Sequence, residues 1–167
     1  MSISHFKLLV IFLITAYSMH NAISLEWCFF DWVNLFIHEV GHLVFMPFGQ
    51  FIYVAGGSFF QSLVPLLIMI YFFRQRDYFA SSFVLIWLGQ TLVNTSIYIK
   101  DAEFLRLHLL GGGLHDWNYL LNELGVIQMA NDIGSSVHII GMIIIIIGGC
   151  LGIYYSIHSQ DTERPEN

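Results

Sequence analysis

The sequence predicts an all-α integral membrane fold of about five transmembrane helices, with a re-entrant β-turn after the second and an amphipathic helix along the interface. Three observations predict it. Only 11% of residues are charged, against roughly a quarter in a soluble domain, so there is too little polar surface to cover a globule in water. The hydrophobic fraction is 56% and the mean hydropathy +0.68. Apolar stretches recur at the ~20-residue length that crosses ~30 Å of hydrocarbon. Residues 1–158 then form one polytopic, multi-pass membrane domain, and the polar residues 159–167 a disordered tail.

The first span runs from about Phe6 to Ile23. Lys7 before a short apolar core and Ala16-Tyr17-Ser18 also fit a signal peptide, but the apolar run continues past Ser18, which favours an uncleaved helix. The second, about Trp27 to Met46, is closed by Pro47, which has no N–H to continue a helix. Phe48 to Ser58 is too short to cross, strand-prone in its middle and ends on Gly56-Gly57, which reads as the re-entrant β-turn.

Phe59 to Phe73 is a third span, short and holding Pro65. The polar turn Arg74-Gln75-Arg76-Asp77 leads to a fourth, from Tyr78 to Ile99, with helix continuing as far as Leu110. Gly111-Gly112-Gly113 breaks it. Trp117, Leu120, Leu121, Leu124 and Ile127 then recur at helical spacing opposite Asn118, Asn122 and Glu123, the pattern of a helix lying in the interface.

The fifth span, Ile133 to Tyr155, carries Gly134, Gly141 and Gly148 at heptad spacing and a Gly148-xxx-Gly152 pair, suited to close helix packing or to helix–helix oligomerisation. Lys7, Lys100 and Arg106 fall on one side and Arg74, Arg76 and Arg164 on the other, so loop charge sets no orientation.

The net charge of −6 and six scattered basic residues exclude nucleic acid as a partner, since its binding needs clustered Lys and Arg. Cys28 and Cys150 sit singly in apolar runs and read as inert thiols.

Chemistry concentrates at His38-Glu39-Val40-Gly41-His42. Residues four apart share a helix face, so His38 and His42 can offer two imidazole nitrogens to one zinc ion. Glu39 is then the catalytic candidate, beside the ion as a general base. Three ionisable groups within five residues of a membrane helix are costly without an ion or function to hold them. Asp31, Asn34, His38 and His42 form one polar stripe; Asp31 lies ~10 Å along the helix from His38 and is given no catalytic role.

A catalytic zinc site takes a third protein ligand and leaves one position open. Asp101 is favoured because it ends a polar stripe of Gln90, Asn94 and Tyr98 on a rigid helix; Asp116 and His115, after the glycine break, are the alternatives. Asp116 could equally be a helix N-cap.

The motif within a membrane span resembles the site-2 protease family of intramembrane zinc metalloproteases, over roughly Trp27 to Asp101. That resemblance implies a re-entrant β element at Phe48 to Ser58 and an Asp ligand on a later helix, where Asn94 and Asp101 loosely match the family pattern. No proline stands between those two residues, and Ala102 follows Asp101 where the family has glycine. The implied activity is metalloendopeptidase cleavage of membrane-embedded or membrane-proximal substrates, with the lipid bilayer and a membrane protein or peptide as partners. Two other classes stay open. One is a zinc or divalent-metal transporter, although those carry proline inside a similar motif and have more spans. The other is a non-catalytic scaffold, which would not need Glu39.

Overall fold

Six helices account for most of the residues that the computed structural model describes, 4–107 and 114–158. The Gly111-Gly112-Gly113 break and the polar tail 159–167 lie outside them. Helix α1 is His5–Ser24, α2 Phe29–Phe45, α3 Gln50–Arg74, α4 Tyr78–Asp101, α5 Asp116–Glu123 and α6 Ala130–Ile157. Four segments are long and apolar enough to cross a membrane: α1, α3, α4 and Ile127–Ile157, which joins a short turn to α6. The motif helix α2 has 17 residues and falls short of the ~20 that a crossing usually takes. The expectation of five spans therefore reduces to four of sufficient length plus a shorter helix.

Solvent logic is inverted relative to a water-soluble bundle. Large apolar side chains such as Phe12, Leu67, Ile140, Ile143 and Ile147 point outward, while Asn34, Gln90, Thr91 and Ser96 are buried. Helix α4 is the most buried of the long helices and the centre of the bundle, with its largest interface against α6. Gly134, Gly141 and Gly148, seven residues apart, all face α4: a Cβ at Gly141 would stand 2.8 Å from the carbonyl of Gly89. Such backbone approach is how helices attract each other where lipid removes the hydrophobic drive. Gly149 and Gly152 turn the other way, against Thr15 and Ile11 of α1.

Helix α2 begins with a capping box, in which the Cys28 N–H donates to Asp31 Oδ2 at 2.7 Å. It ends in a turn containing Pro47, and Gly49 at φ +87° reverses the chain, a conformation that favours glycine. The re-entrant β-turn expected over Phe48 to Ser58 is not formed. Gln50 already starts α3, which runs unbroken to Arg74, and no strand occurs among the described residues. In an apolar surround a helix satisfies each backbone group locally, whereas a re-entrant strand leaves an edge to be covered. Gly56 and Gly57, which read as a turn, serve instead to bring α3 against α2. A Cβ at Gly41 would lie 2.5 Å from the Gly56 carbonyl, and one at Gly56 would lie 2.7 Å from Phe45 Cβ.

Helix α4 stops at Asp101 rather than continuing toward Leu110, because the Asp101 carboxylate folds the chain back by accepting from the Arg106 and Leu107 amides at 2.8 and 3.0 Å. The amphipathic α5 is eight residues long, with Leu120 and Leu121 buried and Asn122 and Glu123 exposed. Asn118 Nδ2 ties it to the Ala102 carbonyl at 2.7 Å, and Gly125 at φ +69° ends it.

Candidate metal centre

His38 and His42, one turn apart on α2, both turn inward and are buried. Their Nε2 atoms are 3.1 Å apart. Asp116 Oδ2, from the first residue of α5, stands 2.8 Å from His38 Nε2 and 3.2 Å from His42 Nε2. Among the described residues this is the one group of three or more His, Cys, Asp or Glu side chains placed to hold an ion.

Both imidazoles are oriented from behind. His42 Nδ1 meets the Tyr53 backbone carbonyl at 2.9 Å, which can only accept, so Nδ1 carries the proton and Nε2 the lone pair. His38 Nδ1 meets Gln61 Oε1 at 3.0 Å and is set the same way. Partners on the remote nitrogen fix the tautomer a metal requires. Two lone pairs and a carboxylate oxygen therefore converge within about 3 Å, an arrangement that repels itself unless a cation or a shared proton sits among them.

The triangle has a size that a small metal ion such as zinc could occupy. Ligands at ~2.0–2.1 Å around a tetrahedral ion are about 3.3 Å apart, close to the three edges here. His38, His42 and Asp116 would hold an ion as three protein ligands and leave a fourth position for water. Space is kept by glycine: a Cβ at Gly57 would stand 2.6 Å from His38 Nε2 and 2.7 Å from His42 Nε2. The donor set and the cradle both fit zinc.

Asp116 is firmly placed although it follows a glycine run in the sequence. Its N–H donates to Tyr98 Oη at 3.1 Å, and Trp117 Nε1 donates to Ser58 Oγ at 3.0 Å, fastening α5 to α4 and α3.

The expected third ligand, Asp101, is not in the group. Its oxygens are taken by the Arg106 and Leu107 amides and by an approach of 3.4 Å to His115 Nε2. The second alternative, His115, is N-cap of α5: its Nδ1 accepts from the Asn118 N–H at 3.2 Å, which leaves the proton on Nε2, facing Asp101. Burial lowers the His115 pKa despite the nearby carboxylates of Asp101 and Asp116, so the ring is neutral at pH 7. Nδ1 is committed to the cap, and Nε2, which makes no hydrogen bond, stands 3.4 Å from Asp101 and outside the His38–His42–Asp116 group. Asp101 and His115 thus brace the start of α5, and Asp116 reaches the histidines.

Glu39 is exposed, about 100° around α2 from His38, and is not in the group. Gln61, Gly57 and the Tyr53 carbonyl were not assigned to the site from the sequence. A glutamine buried in an apolar span at Gln61 was the available signal, because such an amide needs a partner. No protein-family model, curated protein or solved structure matches the chain.

Proposed function

We propose that the chain is an integral membrane zinc metallopeptidase, with zinc on His38, His42 and Asp116 and with Glu39 as general base. The observation that carries this reading is the convergence of two oriented imidazole nitrogens and a carboxylate oxygen, on a helix that also carries Glu39 next to His38 in sequence. Bound there, zinc would supply Lewis acidity, polarising a carbonyl and acidifying water at the open position.

The residues of the chain supply the rest. Asp116 offsets part of the ionic charge, and Gln61 and the Tyr53 carbonyl keep both rings aimed. Glu39 accepts a proton from the attacking water and returns it to the leaving amine. Glu39 is exposed, which leaves its carboxylate open to water and to a substrate. Ile52 to Ala55 is helical and has no free strand edge, so substrate binding by strand addition finds no support here.

The test is Glu39→Gln in purified, reconstituted protein. The amide keeps the size of the carboxylate but does not take up a proton at neutral pH. The variant should retain about one zinc per chain and lose cleavage of membrane-spanning peptides by at least ~100-fold. His38→Ala with His42→Ala should lose the zinc. Zinc flux into vesicles that Glu39→Gln abolishes, with no peptide cleaved by either form, would replace the peptidase with a transporter.

A further inference from the structure

Polar side chains gather a second time where the start of α2 meets the middle of α4. Asp31, Asn34 and Gln90 are buried there, at 4, 0 and 2% exposure. Cys28 joins two of them: its N–H donates to Asp31 Oδ2 at 2.7 Å, and Gln90 Nε2 donates to its Sγ at 3.4 Å. Asn34 follows Asp31 by one turn on the same face of α2. Its Oδ1 is held by Trp87 Nε1 at 3.0 Å and Thr91 Oγ1 at 3.1 Å, from the turn of α4 that carries Gln90.

Each of the three side chains keeps one polar atom without a hydrogen bond: Asp31 Oδ1, Asn34 Nδ2 and Gln90 Oε1. Among the described residues five buried side-chain atoms are in this condition, and three of them fall in this one seam. Unpaired polar atoms in an apolar surround are costly, and a molecule that complements them removes the cost. The chemistry of the three atoms selects that molecule. An indole N–H only donates, so Asn34 must give its oxygen to Trp87 and is left with an unpaired donor. A metal cation or an ammonium group offers that donor no acceptor. An anion finds two acceptors, Asp31 Oδ1 and Gln90 Oε1, against it. Gln90 can be turned over, which trades its unpaired acceptor for an unpaired donor. Water gives two hydrogen bonds and takes two, so it meets the set in either orientation.

We propose that the seam between α2 and α4 is a binding site for an ordered water molecule, which accepts from Asn34 Nδ2 and donates to Asp31 Oδ1 and Gln90 Oε1. Three such bonds are about the usual number for a buried water. The water ties the start of α2 to the middle of α4, beside the direct links from Trp87 and Thr91 to Asn34 and from Gln90 to Cys28. It also gives Asp31 Oδ1 the donor that no side chain supplies, inside a bundle whose outer face is apolar. The site needs no metal and stands apart from the reading of His38, His42 and Asp116.

The test is magnetisation transfer from water in solid-state NMR of the metal-free full chain, carbon-deuterated and 15N-labelled, in lipid bilayers. The side-chain NH2 signals of Asn34 and Gln90, assigned by single substitutions, should receive magnetisation from water. The backbone N–H groups of Gly89 and Ile145, in the tightly packed α4–α6 contact, should receive none. The double variant Asp31→Leu, Gln90→Met removes both acceptors and should abolish the transfer to Asn34. Asn34 and Gln90 signals as dark to water as Gly89 in wild type would overturn the proposal. Transfer to Asn34 that persists in the double variant would overturn it too, because water would then reach Asn34 without the site. Should the double variant fail to fold, the wild-type comparison with Gly89 and Ile145 decides.

Discussion

At the scale of single residues, His38 and His42 could be paired from spacing alone, because four residues on a helix return a side chain to the same face. The third ligand could not. Asp101 and Asp116 lie on either side of a glycine run in the sequence, and a helix residue is ordinarily better held than one beyond such a run. Asp116 proves to be the first residue of a helix tied down by Tyr98, Ser58 and Ala102, while Asp101 has spent its oxygens on backbone amides. Asp116→Ala should therefore weaken zinc binding on the order of 100-fold or more, through loss of a ligand. Asp101→Ala, acting only through His115 and the start of α5, should cost about tenfold. Chelator competition on the two variants checks the order, and the reverse ranking would return the ligand role to Asp101.

At the scale of elements, apolar length and proline placement made the helices legible, and the seven-residue glycine repeat marked the face of α6 that meets α4. The start of α3 was misread. Ile52, Tyr53 and Val54 favour strands and Gly56-Gly57 favours a turn, but such local preferences are overridden when an apolar surround demands that backbone groups be satisfied at once. The distinction between a turn glycine and a contact glycine lies in the partner helix, which a single sequence does not display. Gly57 offers a direct check. Gly57→Ala should keep the helical circular dichroism, since alanine favours helix, yet lose zinc affinity by at least ~10-fold because the new methyl intrudes on both Nε2 atoms. Retained affinity would mean that α3 does not lie so close to the histidines.

For the molecule as a whole, composition alone foretold the outward greasy face and the polar interior, because scarcity of charge is a property of the whole chain. It did not foretell that the helix bearing the histidines would be the short one. Seventeen residues of α2 extend about 26 Å, against about 30 Å of hydrocarbon, and His42 lies three residues from its end. A bilayer crossed by so short an element would have to thin, or the neighbouring helices to tilt, and either adjustment would carry a cost that grows with acyl-chain length. Hydrophobic mismatch would then act as a control on the candidate metal centre. Short-chain lipids should relieve it and long-chain lipids should bury the centre deeper, away from the headgroups. In nanodiscs of increasing chain length, removal of zinc by a water-soluble chelator should slow progressively, and a rate independent of lipid would place the centre in a water-filled recess that the acyl chains never reach.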